Sequence, residues 1–229
     1  MTNRRGRRVL VTGFGRFPGA PSNPTERLVR ALERARRPAL ADLDIVAETL
    51  PVTWAGSRQV LAGLCREIEP DAILMFGLAG SSRKIRVEAM ARNVANRLRG
   101  DAAGRTAQKA ALSGSGPRAL RSRADAHRVL AAIRATGAKA QLSQDAGSYL
   151  CNATLWSALA ETDRDTPVIF VHVPPVARRI PKARARRKRP SLADLTRAAT
   201  AALLALRLPL GESGAPQPSP PTQTYFTSR

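Results

Sequence analysis

Two short runs without a single polar residue, Ala72-Ile-Leu-Met-Phe76 and Val168-Ile-Phe-Val171, constrain the fold of this chain more than any other feature. A strand with one wet face alternates apolar and polar residues, whereas a wholly apolar strand must be covered on both faces. Val9 to Gly13 reads as another buried strand, Asp44 to Leu50 as one closed by Pro51, and Ala138 to Leu142 as a weak one. Ile85, Val87, Ala89 and Ala91 alternate with Arg86, Glu88, Met90 and Arg92, which predicts one continuous strand. Helices fall between the strands and supply the covers. Thr25 can cap one running to about Arg37, and Trp54 to Ile68 is amphipathic. Ser122 to Thr136 follows, Leu150 to Leu159 is apolar, and Ser191 caps a last helix through about Leu208, ended by Pro209. Strands alternating with helices place the chain in the α/β class. The expected architecture is a single-domain α/β/α sandwich over residues 1–208, built on a largely parallel twisted sheet. Asp101 to Arg118 is a Gly/Ala/Ser-rich loop, and the Pro/Ser/Thr/Gln-rich tail, 209–229, reads as disordered. Sites in such sheets lie beyond the carboxyl ends of strands. Four loops should gather there: those after Gly13, after Phe76, before Cys151 and around His172.

With 229 residues, 43% of them apolar, the chain can bury one substantial core. No apolar run approaches a membrane span. The basic start, Met1 to Arg8, is followed only by Val9-Leu-Val-Thr, too short for the apolar part of a secretory signal. Two cysteines, Cys65 and Cys151, make no disulfide framework and point to a reducing cytoplasm. The two histidines, His127 and His172, have no partners at metal spacing, so no metal site is expected. The net charge of +21 invites a polyanion-binding reading. Part of it is local: eight basic residues and no acid lie between Arg178 and Arg189, within a basic loop spanning 176–190. No aromatic residue interleaves with them, so a stacking platform for single strands is absent. A solvated, arginine-rich surface accounts for the run, and weak polyanion binding through 178–189 is the functional alternative.

The chemistry concentrates in the run Ser143 to Asn152, which sets Cys151 after a glycine-containing turn at the start of an apolar helix. The positive field of a helix N-terminus favours the thiolate, the reactive form of cysteine. The plain alternative is a small buried packing residue. Cys65 is the contrast: mid-helix among apolar neighbours, it reads as core. His172 ends an apolar strand ahead of Val173-Pro-Pro. It is either a satisfied core histidine or, at a strand end, an imidazole emerging into a site. His127, beside Arg128 on its helix, reads as surface. Glu88, between Arg86 and Arg92, is either a cross-strand ion pair or the acid that orients an imidazole. Gly13-Phe-Gly-Arg-Phe-Pro-Gly superficially matches a dinucleotide turn. Its aromatics and prolines, and the late start of the next helix, argue instead for Phe14 and Phe17 as walls of an apolar pocket.

These stretches together resemble the pyroglutamyl peptidase I, or pyrrolidone-carboxylate peptidase, family of cysteine peptidases. The matching residues are Val9 to Phe17 with Asn23-Pro24, Gly77-Leu-Ala-Gly, Ile85-Arg-Val-Glu88 with Asn93, Ser143 to Asn152, and Phe170-Val-His-Val-Pro. They run in family order, glutamate then cysteine then histidine, across roughly Arg8 to Leu206. The resemblance implies an omega-peptidase that removes N-terminal pyroglutamate from peptides, without cofactor. Cys151 would be the nucleophile, His172 its base and Glu88 the orienting acid. Phe14 and Phe17 would pack on the flat lactam, with Asn23 and the residue at Leu78 in the binding site. Arg97 would assist the oxyanion beside backbone N–H groups. Homo-oligomerisation is left open.

Three departures bear on this reading. Leu78 stands where many members carry a lactam-binding Gln, Arg16 replaces a Pro between the phenylalanines, and the segment after Asn93 is about one residue shorter. Leu78 keeps a second reading open, a related amide hydrolase of altered specificity. The basic run keeps a third, a protein that binds nucleic acid or an acidic partner.

Overall fold

The computed structural model describes residues 6–17, 19–177 and 189–206. Most of the basic loop, 178–188, and the whole 209–229 tail lie outside the described residues, as does the end expected for the last helix. In chain order the elements are β1 (Arg7–Phe14), α1 (Pro24–Glu33), β2 (Leu43–Leu50), α2 (Trp54–Ile68), β3 (Ala72–Leu78), β4 (Ile85–Glu88) and β5 (Met90–Arg92). They continue with β6 (Ala119–Arg121), α3 (Ala126–Ala135), β7 (Ala140–Ser143), α4 (Leu150–Glu161), β8 (Val168–Val173) and α5 (Leu192–Ala205).

The main sheet has the order β2-β1-β3-β8-β4-β7, and β5 and β6 form a separate ribbon. Every pairing in the main sheet is parallel except β4 against β8. The apolar strands divide their side chains between two cores. Val9, Val11, Leu74, Phe76, Ile169 and Val171 face one side, covered by α1, α3 and α5. Leu10, Ile73, Met75, Val168 and Phe170 face the other, covered by α2 and α4. The sandwich therefore has three layers, as the apolar runs of β3 and β8 require. Helix α4 is buried almost all round, which suits its lack of a polar stripe.

Three local expectations change. Asn23, not Thr25, caps α1: its Oδ1 accepts the Thr25 N–H at 3.1 Å, while Thr25 is fully buried with its hydroxyl donating to the Phe14 carbonyl. α3 begins only at Ala126, where Asp125 caps it by accepting the His127 and Arg128 N–H groups. The strand expected from Ile85 to Arg92 breaks at Ala89. Ile85 and Val87 pack under α3 and α5, whereas Ala91 packs in the core beneath α4. A continuous period of two concealed a change of layer, because periodicity reports that a residue is buried and not against what.

Candidate active site

β3 and β8 lie side by side in parallel register, with Gly77 opposite His172. Both residues fall at the carboxyl ends of their strands. His172 shares the parity of Phe170, so its ring points to the α4 side of the sheet, 4.8 Å from the Phe170 ring. The N-terminus of α4 arrives above Gly77. A Cβ placed on Gly77 would sit 2.8 Å from the Cys151 sulfur and 2.7 Å from Phe170, so only glycine lets the helix bring the thiol down to the sheet.

Cys151 lies beside His172, and both line the same cavity. The ring's Nδ1 is 2.8 Å from Glu88 Oε1, so Nε2 is the nitrogen left to face the thiol. Glu88 reaches the ring from the antiparallel β4, where it pairs with Phe170, two residues deeper than His172 on the same face. It is 0% exposed and His172 7%. Burial alone pulls the imidazole down. The neighbouring Cys151 charge and the hydrogen bonds from Cys151 and Glu88 outweigh it and raise His172 to about 9. A thiol, an imidazole and a buried carboxylate in this order can hold a thiolate–imidazolium pair, with the carboxylate fixing the tautomer. Cys65 contrasts with this: it is half-buried on α2, and burial pushes its thiol up to about 11, away from the reactive form.

The thiol opens into a cavity of about 240 Å³. Phe14 and Phe17 line it, as expected from their loop, and so does Leu78. Asn23 also borders it, but both ends of its amide serve the fold. Oδ1 caps α1, and Nδ2 donates to the Gly15 carbonyl at 3.1 Å, holding the phenylalanine loop in place. From the loop after Asn93 the lining takes Asn96 and Arg99. Arg97 is exposed and is not among the lining residues; Arg99 instead lies over the Tyr149 ring, 4.4 Å from its centroid.

Sequence reasoning passed over Asn152 as a functional support. It is fully buried beside Cys151; its Oδ1 accepts the Arg92 N–H, and its Nδ2 donates to the Arg92 and Val94 carbonyls. This clamps the first turn of α4 to the chain leaving β5. An amide side chain in the first turn of a helix that is buried almost all round was the available signal. Among the described residues, no group of three or more His, Cys, Asp or Glu side chains could hold a metal ion, and no helix is long and apolar enough to cross a membrane.

The sequence matches the family model described as pyroglutamyl peptidase over residues 7–207. A pyrrolidone-carboxylate peptidase of Cupriavidus necator is 32% identical over 218 residues, covering 91% of this chain and 98% of that protein. Pyrrolidone-carboxylate peptidase 1 of Ralstonia nicotianae is 33% identical over 169 residues, 72% of this chain and 77% of that one. The crystal structure of pyrrolidone carboxyl peptidase from Thermus thermophilus superposes with a TM-score of 0.75 at 33% identity, covering 86% of this chain and 100% of that chain. In sequence and in fold, the chain belongs to the pyroglutamyl peptidase family.

Proposed function

We propose that this chain is a cysteine peptidase that removes an N-terminal pyroglutamyl residue from peptides, with Cys151 as nucleophile, His172 as acid and base, and Glu88 as orienting carboxylate. The observation that carries the reading is the chain of contacts from Cys151 through His172 to buried Glu88, opening beside Phe14 and Phe17. A lactam is flat and neutral, so aromatic and aliphatic walls suit its faces and no charge clamp is needed.

The thiolate attacks the pyroglutamyl carbonyl carbon, and the carbonyl electron pair moves onto oxygen. N–H groups in the first turn of α4, which have no intrahelical acceptor, are the donors nearest the sulfur for that oxyanion. As the C–N bond breaks, imidazolium His172 gives its proton to the leaving amine. The neutral imidazole then takes a proton from water as the water attacks the thioester, and Cys151 leaves as thiolate. A nucleophile of this kind works only as a free thiol, which supports a reducing, cytoplasmic setting; both cysteines are free. The test is release of a fluorogenic amine from a pyroglutamyl amide by wild type and Cys151→Ala. Equal rates would remove the nucleophile, and an inactive wild type would redirect attention to another acyl group.

A further inference from the structure

Glu88 presents an electrostatic problem that the reaction does not solve. It is fully buried, and among the described residues its Oε2 has no hydrogen-bond partner. A buried carboxylate so placed takes up a proton unless a fixed cation opposes it. The imidazolium cannot fill that role throughout, because it gives up its proton in every turnover. The other cation at hand is Arg86, two residues earlier on the same face of β4, directly opposite His172 in the antiparallel register. Its Nε lies 3.3 Å from the same Oε1 that faces His172.

Arg86 has a second attachment. Its Nη2 donates to Ser143 Oγ at 2.7 Å and to the Asp145 carbonyl at 2.6 Å. Ser143 ends β7 opposite Glu88, and beyond it the chain must turn back to deliver Ala146, Gly147 and Ser148 to the pocket wall and Cys151 to the imidazole. One guanidinium therefore joins the buried acid to the segment that carries the nucleophile.

We propose that Arg86 is a positioning residue of the active site, supplying the fixed counter-charge to buried Glu88 beneath His172 and anchoring the returning Ser143–Asp145 segment that leads to Cys151. The charged or titratable groups facing this cluster are Glu88 and Arg86 from β4, His172 from β8, Cys151 from α4, and Asp145, whose carboxylate is engaged by Arg92 of β5 at 3.2 Å. With Asp145 so engaged, Arg86 is the group whose removal leaves the Glu88 charge uncompensated.

The role rests on the triad reading but can be tested without a substrate. The rate of Cys151 alkylation by iodoacetamide, localised by peptide mass spectrometry, is followed against pH in wild type, Arg86→Gln and Arg86→Lys. Gln keeps a donor for the tether and loses the charge, whereas Lys keeps the charge and loses the fork. The midpoint of alkylation should rise by on the order of one pH unit in Arg86→Gln, from loss of one charge within a few ångströms of the cluster. Arg86→Lys should hold the midpoint near wild type and, in the peptidase assay, raise KM with a smaller effect on kcat. Coincident midpoints in wild type and Arg86→Gln would overturn the proposal, as would equal shifts in the two variants. Should Arg86→Gln fail to fold, Ser143→Ala, which removes one acceptor of the tether, should raise KM while leaving the alkylation midpoint unmoved; an unchanged KM there overturns the anchoring role. If the midpoints behave as expected but no pyroglutamyl substrate is cleaved, the substrate reading fails and the role of Arg86 stands.

Discussion

Gly77→Ala puts the architecture of the site to a quantitative test. The new methyl group would meet Phe170 Cζ at 2.7 Å and Cys151 Sγ at 2.8 Å. Nonbonded carbon atoms rest at about 3.5–4.0 Å, so each contact is short by close to an ångström. Phe170 is 0% exposed and locked in the core beneath α4, and cannot yield. The contact with Phe170 is relieved only by a shift of the β3 backbone, and the sulfur, lining the pocket, is displaced with it. Overpacking of this kind costs about 1–3 kcal/mol. Each kcal/mol lowers the melting temperature of a chain this size by about 2–4 °C, so the variant remains folded at room temperature. A displacement of about 1 Å in a reacting atom costs on the order of 10²-fold in rate. The expected result is a folded protein whose kcat/KM for a pyroglutamyl amide falls about a hundredfold, with slowed alkylation of Cys151. Wild-type kcat/KM in a folded Gly77→Ala protein would refute the claim that this glycine seats the nucleophile.

Other outcomes follow from the same geometry. Because the folded pKa of His172 lies above its unfolded 6.5, the stability its proton contributes is fully present below pH 6.5 and is lost as pH rises through about 9. Melting curves from pH 6 to 10 should therefore fall more steeply for wild type than for Cys151→Ala, and parallel curves would show that the pair is not coupled. Glu88→Gln preserves shape but removes the charge that supports the imidazolium, so kcat should drop by about 10²–10⁴-fold while folding is retained; a near-normal kcat would make Glu88 merely structural. Leu78→Gln adds an amide to the pocket wall, and one added hydrogen bond of about 0.5–1.5 kcal/mol should improve discrimination for pyroglutamyl over prolyl amides by roughly 2- to 10-fold. An unchanged ratio would place lactam recognition elsewhere.

The layers were legible because β3 and β8 are apolar on both faces, which only a covered sheet accommodates, and the period of α2 gave its buried side. Cys151 and His172 were legible as candidates at element ends and Glu88 as an acid within a strand, and the resemblance in chain order joined the three. What the sequence hid was relational. Nothing local in Ile85 to Arg92 shows that β4 runs antiparallel to β8 or that the chain changes layer at Ala89. Arg86 looked like the polar half of an alternating strand, because its acceptors, Ser143 and Asp145, lie almost sixty positions away. Asn23 advertised itself as a pocket residue, yet its amide is used up in capping α1 and bracing Gly15. Arg97 was named through the family resemblance, whereas Arg99 is the arginine that lines the pocket.

The reversed strand accounts for the depth ordering of the site. In a parallel neighbour of β8, the carboxyl-end residues would emerge at the same rim as His172, and an acid there would meet water. Because β4 runs the other way, Arg86 sits level with His172 and Glu88 lies two pairs deeper, opposite Phe170. The acid then approaches the imidazole from inside the protein, fully buried, while Cys151 approaches from the pocket. The chain of contacts thus runs from Cys151 at the pocket to a dry carboxylate. Low dielectric around Glu88 strengthens its hold on the imidazolium and equally raises the cost of leaving it unpaired. The same reversal that buries the acid carries Arg86 to the rim side, where one face of its guanidinium meets Glu88 and the other the segment returning to Cys151. A buried carboxylate, its counter-cation and the delivery of the nucleophile are therefore consequences of one change in strand direction.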